Sequence, residues 1–410
     1  MFLMWLRIKI AIRNAFRNRR RSFLNVFMIA SAVASLILFE GFTHNMVEGL
    51  RETTIETQTG HLQIASNNFW QKKKLKPKEN LITNFSKILK ELKTDSRIKY
   101  AAGRIEFFGL LSHNDDSMSA RVMTVDPEKE FSRNKYFHYR QGKELTSKMP
   151  FEVAVGSGLA RKLNITPGSS VTVLTHTYEG IVNAMDFTVS GIFQTDIAEF
   201  DDNTLLMPLK TAQDLLDTKA VEQIIIGLHS SWDTKSVLDS LVPKLSSIAS
   251  DTGVKTWFQL ATLYKQVSMF NRVQNLIIQL ILMTLVMLSI ANTVGMSIME
   301  RTGEIGTLRA LGEQRHSIVI QFLFEGFVLG AFGAIVGILC GIGMACLFNQ
   351  MNIPVLFPGA SSPIFIKITI LIPAIIKSSL SGVLITVIAA IIPSYRSAKM
   401  NIVTALRHNI

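Results

Sequence analysis

The chain has 410 residues, of which 48% are apolar and only 18% charged, and its mean hydropathy is +0.28. That is too oily and too weakly charged for an ordinary soluble chain. The net charge of +12 does not argue for nucleic acid: residues 1–22 carry seven Lys/Arg and no acid, whereas 43–272 carry 28 basic against 26 acidic residues, so the excess sits beside an apolar run and reads as membrane topology.

In residues 1–22, Trp5, Ile8, Ile12 and Phe16 fall on one helical face and Arg13 and Arg17 elsewhere, the pattern of a helix lying on the inner membrane surface. Residues 23–42 supply the roughly 20 apolar residues of a first span. Ala32-Val33-Ala34 superficially resembles a signal-peptide cleavage site, but apolar sequence runs on through Phe39 with no polar segment before it, so an uncleaved anchor is expected.

Residues 43–272 then form a mixed α/β extracytoplasmic domain. Leu81, Phe85, Ile88, Leu89 and Leu92 repeat at helical spacing, 171–174 and 187–193 read as strands, and Pro167-Gly168 marks a turn. The Lys72 to Lys78 cluster reads as a solvated loop. From Lys255 to Asn292 there is no Gly or Pro, and Trp257, Leu260, Tyr264, Val267, Phe270 and Val273 keep a helical stripe. One helix of roughly 57 Å is expected there, a stalk that enters the second span. It is either a transmitter of motion or a passive support. Met46, Leu50 and Thr54 also permit the first span to continue outward, against Gly41 and Gly49.

Further spans are expected at 273–298, 317–348 and 368–392. Arg301, Arg309 and Arg315 lie in the 299–316 loop and Arg396, Lys399 and Arg407 in the 393–410 tail, while the 349–367 loop holds only Lys367. Both termini and the 299–316 loop are therefore expected on the cytoplasmic side. Gly326, Gly330, Gly333, Gly337 and Gly341 form two overlapping small-residue repeats on the third span, which suit close helix packing. Lys377 enters the fourth span at about the depth at which Glu40 ends the first, whereas Glu325 lies near the other membrane face. Pairing of Glu40 with Lys377 and independent snorkelling both remain open.

No catalytic constellation is present. The sequence contains no G-x-x-x-x-G-K-[ST] phosphate loop, and Gly156-Ser157-Gly158 is too short a fragment of a dinucleotide fingerprint. His61, His113, His138 and His176 occur singly, Asp201-Asp202 is expected in a turn, and Cys340 and Cys346 share one hydrophobic segment. Neither a metal site nor a disulfide framework follows.

The most specific pattern is the run from Glu300-Arg301-Thr302-Gly303-Glu304-Ile305-Gly306 through Thr307-Leu308-Arg309-Ala310-Leu311-Gly312, followed by Phe324-Glu325-Gly326-Phe327-Val328-Leu329-Gly330. It resembles the loop of the bacterial ABC-permease superfamily that includes lipoprotein-releasing, macrolide-export and cell-division permeases. The stretch from Pro393 to Arg407, with Ile402 where a proline is usual, resembles the closing motif of that superfamily. Arg13 to Arg21, Thr59-Gly60-His61-Leu62-Gln63-Ile64 and the segment from Gly191 to Asp202 extend the likeness over nearly the whole chain.

The resemblance implies four transmembrane helices, with the α/β domain inserted between the first and second. It also implies a permease subunit that is not itself an enzyme: a separate ABC ATPase, carrying ATP and Mg, binds its 299–316 coupling loop. A short helix there offers Ile305, Leu308 and Leu311 to an apolar groove, with Glu300, Arg301, Glu304 and Arg309 at the rim. A second permease copy or paralogue, the lipid bilayer and a periplasmic substrate or carrier complete the expected partners, with no nucleic acid and no cofactor in this chain. Lipoprotein release is the first expectation; export of a small amphiphile or peptide, or signalling to a peptidoglycan hydrolase, are the alternatives.

Overall fold

The computed structural model describes residues 13–14, 16–72, 78–130, 136–249, 251–355, 361 and 363–399. Most of the expected N-terminal surface helix, part of the lysine cluster and the closing motif from Met400 onward lie outside the described residues. The principal elements in chain order are α1 (Arg19–Thr54), which ends in a π-helical turn (Ile55–Thr59), β1 (Leu62–Ser66), α2 (Phe85–Leu92), β2 (Ile98–Arg104), β3 (Glu106–His113), β4 (Asp116–Val125), β5 (His138–Gly142) and β6 (Glu152–Gly156). Then follow α3 (Ser157–Lys162), β7 (Ser170–His176), β8 (Val182–Gln194), α4 (Ala198–Asn203), β9 (Thr204–Pro208), α5 (Leu209–Leu215), β10 (Gln223–Leu228), α6 (Thr234–Ile248), β11 (Thr252–Thr256) and α7 (Trp257–Leu260). The chain closes with α8 (Thr262–Glu300), α9 (Thr302–Ala310), α10 (Arg315–Met351), β12 (Pro354–Val355), β13 (Ile364–Phe365) and α11 (Ile372–Ala398).

Two compact units result, one from Met1–Val47, Val267–Ile353 and Phe365–Ile410, the other from Glu48–Gln266 and Pro354–Ile364. In the helical unit, α1, α8, α10 and α11 are each long and apolar enough to cross a membrane. Val286, Ile290, Val294 and Ile298 recur every fourth residue of α8 and pack with Ile29, Val33 and Ile37 of α1, Phe322 of α10 and Ala390 of α11. Leu276, Ile277, Leu280, Ile281 and Leu288 of the same helix point outward and are exposed. An apolar surface of that extent is costly against water and natural against hydrocarbon.

The second unit has two sheets. The smaller, in the order β11-β1-β10-β2, is antiparallel, with Leu62 facing Ile226 and Thr256. Ile64, Ile224 and Ile226 pack there with Ile88 and Leu92 of α2 and Val237 and Leu241 of α6. The larger has the order β5-β8-β6-β9-β4-β3-β7, and β7 pairs again with β8, so six strands are joined in a ring with β5 appended. Alternate residues of β7 are buried, and its Val171 and Val173 meet Val153, Phe187, Leu205 and Met207 in one core, as the period-two geometry of a strand requires.

Several boundaries differ from the sequence expectation. The stalk helix does not begin at Lys255: Lys255 and Thr256 pair with Gln63 and Leu62 of β1, Thr256 and Gln259 form a reciprocal capping box that starts α7, and Ala261 leaves the helical region at ψ 78. A strand ladder and a cap break the helix where no Gly or Pro signals it. The first span continues through Gly41 and Gly49 to Thr54. Gly41 admits the Thr369 backbone, whose N–H donates to the Gly41 carbonyl at 3.3 Å. Asp201 and Asp202 lie within α4, not in a turn, and Asp201 is buried. Residues 354–364 of the expected 349–367 loop belong to the second unit, and α11 starts at Ile372.

Candidate functional site

The connection between α8 and α10 is a short helix, α9, bonded to its own chain. Thr302 donates its hydroxyl back to the Ile298 carbonyl at 3.1 Å, α9 follows, and Gly312 at φ +96 ends it, a backbone conformation that a side chain would strain. Arg21 grips Glu300 with two bonds of 2.6 and 3.2 Å, and Arg17 reaches Glu304 at 2.9 Å. Arg301 bonds Glu304 at 3.1 Å and Glu325 at 2.9 Å, and its guanidinium lies 5.6 Å from the Phe322 ring centre. The hydrogen bonds from Arg17 and then Arg301 hold the Glu304 carboxyl below the usual carboxylate range. Arg309 donates to the Ala398 carbonyl at 3.1 Å.

The residues singled out from sequence therefore divide in two. Glu300, Arg301, Glu304 and Arg309 are engaged within the chain, and Ile305, 6% exposed, joins the core of its own bundle. Ile305 therefore faces this core and not an external groove. Leu308 at 41% and Leu311 at 81% exposure turn outward. The partners Arg17, Arg21 and Glu325 were missed. A signal was present, because Arg17 and Arg21 stand four apart, as do Glu300 and Glu304, a spacing that matches two ladders of opposite charge.

Behind this helix the glycine stripe serves two neighbours. Gly326 and Gly330 face Thr386, Ala390 and Val383 of α11, whereas Gly333, Gly337 and Gly341 face Ile29, Ala30, Val33 and Ala34 of α1. A Cβ on Gly337 would stand 2.8 Å from the Ala30 carbonyl oxygen, so side chains there would push α1 and α10 apart. Toward the other end of the same bundle, Lys377 Nζ lies 3.5 Å from Glu40 Oε1.

In the second unit His61 is a satisfied core residue. Its Nδ1 accepts from the Leu228 N–H at 3.1 Å, which leaves Nε2 as the donor to the Ser231 hydroxyl 3.0 Å away. Burial first, then Arg51 and Lys99, lower its pKa to about 4. Asp201 accepts the Thr195 N–H at 2.9 Å, the Thr195 hydroxyl at 2.8 Å and the Ser361 hydroxyl; burial nevertheless raises its pKa to about 6. Among the described residues no group of three His, Cys, Asp or Glu stands ready for a metal. A cavity of about 380 Å³ has apolar walls from Val125, Phe137, Leu145 and Leu206, with Glu128 and Lys148 beside them.

Comparison with known proteins agrees with this architecture. Residues 22–244 match the MacB-like periplasmic core domain and residues 276–402 the FtsX-like permease C-terminal domain. The lipoprotein-releasing system transmembrane protein LolC of Neisseria meningitidis is 24% identical over 64% of this chain and 65% of its own length. An uncharacterized ABC transporter permease, YvrN of Bacillus subtilis, is 29% identical over 55% of this chain and 56% of its own. The chain thus spans just under two thirds and just over half of these two relatives. The periplasmic region of MacB from Actinobacillus actinomycetemcomitans aligns with 52% of this chain and 95% of its own at 15% identity and a TM-score of 0.39. With a MacB-like periplasmic core over more than half its length, an FtsX-like permease region after it and four membrane-crossing helices, the chain belongs to the ABC-transporter permease superfamily of the inner membrane.

Proposed function

We propose that this chain couples ATP hydrolysis on a separate ATPase subunit to movement of its periplasmic domain, and that the work releases lipoproteins from the inner membrane toward the outer membrane. The observation that carries the coupling role is α9. It is held to its own bundle by Arg17 and Arg301, which both bond Glu304, and by Arg309, which donates to the Ala398 carbonyl, while Leu308 and Leu311 are left outward. A braced helix with an apolar edge transmits force to and from a partner, whereas a loose loop would absorb it. With the basic flanks read as cytoplasmic, that edge faces the ATPase. The lipoprotein assignment rests on the relative named for that activity.

The second reading, export of a small amphiphile, is favoured by the apolar cavity at Phe137 and Leu206, whose volume suits a small ligand. Crosslinked pull-down of the intact complex separates the readings. Recovery of lipoproteins and a soluble carrier supports the first; an adaptor with an outer-membrane channel supports the second, and a peptidoglycan-hydrolase activator contradicts both.

A further inference from the structure

The helical unit contains a cavity of about 480 Å³ between the N-terminal turns of α1 and the C-terminal turns of α8, and its wall includes, besides Arg17, Arg21, Arg301 and Glu325, the arginines Arg19 and Arg20 that the coupling reading does not use. Its wall is strongly basic. The two carboxylates on it, Glu300 and Glu325, are already bound by Arg21 and Arg301, while Arg19 and Arg20 have no ion-pair partner among the described residues.

We propose that this cavity binds the phosphate of an anionic phospholipid headgroup, with Arg19 and Arg20 supplying the charge. Both a lipid and free inorganic phosphate offer that group, and the surroundings favour the lipid. One turn farther along α1, Phe23 and Phe27 are exposed, with ring centres 6.4 Å apart, which gives acyl chains an apolar track. Basic clefts between spans at the inner membrane face are suited to such headgroups. The volume exceeds what a bare phosphate needs and lies within the range of small-ligand sites.

The test uses the full chain without ATPase or nucleotide, so its outcome is independent of the coupling and substrate readings. The protein is reconstituted with mixed phosphatidylglycerol and phosphatidylcholine, then gently delipidated, and retained lipid is counted by native mass spectrometry. Preferential retention of phosphatidylglycerol is expected. Arg20→Gln should lower it by about fivefold, the equivalent of roughly 1 kcal/mol for one basic side chain near a charged surface. Arg13→Gln, which alters the same basic segment outside the cavity wall, should leave it unchanged. Equal loss in Arg13→Gln and Arg20→Gln, no preference between the lipids, or full retention in Arg20→Gln would overturn the site. Displacement of the lipid by excess inorganic phosphate would overturn the lipid assignment.

Discussion

Glu40 and Lys377 stand 3.5 Å apart in the helical unit, and charges at membrane depth are expensive when alone. Lys377→Glu should leave two acids facing one another and impair function, and exchange of both residues should restore part of it, as read in a substrate-release assay. Equal defects in the single and double variants would instead indicate two side chains that reach separately for the interface. His61 gives a pH dependence. Its folded pKa of about 4 lies below the ordinary 6.5, so the unfolded chain binds the proton more tightly. The stabilisation is complete above pH 6.5 and lost as the pH falls toward 4, about 3 kcal/mol at most. Asp201, raised to about 6, acts oppositely, with stability lost as the pH rises from its unfolded value through 6. The difference in denaturant midpoint between wild type and His61→Asn should therefore narrow on acidification between pH 6.5 and 4. A constant difference would contradict the assignment of His61 as the neutral, buried group.

At the scale of the elements, α8 is continuous from Thr262 to Glu300, roughly 58 Å at the rise of an α-helix. Val267→Pro removes a backbone donor and clashes with the preceding turn, costing about 3 kcal/mol or more. If α8 transmits motion, that variant should keep its ATPase and hydrolyse ATP while substrate release fails; normal release in a correctly inserted protein would make α8 a support only. What sequence reveals about such elements depends on where the determining interaction lies. The apolar period of α8 and the glycine period of α10 are local, so both were legible. The break at Ala261 was not, because it follows from pairing of Lys255 and Thr256 with residues nearly two hundred positions away in the chain. Long-range partners also explain Asp201: a short acidic pair reads as a turn until Thr195 and Ser361 are brought to it.

For the whole molecule, four spans, an inserted α/β domain and a short helix between the second and third spans make a permease. The loop motif was legible because its residues are contiguous. Which of them face outward was not, because the inward turn of Ile305 depends on packing with α1, α8, α10 and α11, and the use of Glu300 and Glu304 depends on arginines at the far end of the chain. The proposed function requires that α9 dock an ATPase through Leu308 and Leu311. Its most direct test is quantitative co-purification of the ATPase with Leu308→Asp, a change at an outward position that places a charge in an apolar contact while Ile305 and the ion pairs stay intact. A correctly inserted, folded permease that retains at most about a tenth of the wild-type ATPase is expected, the effect of a loss of roughly 1.4 kcal/mol or more. Full ATPase retention by that variant would contradict it.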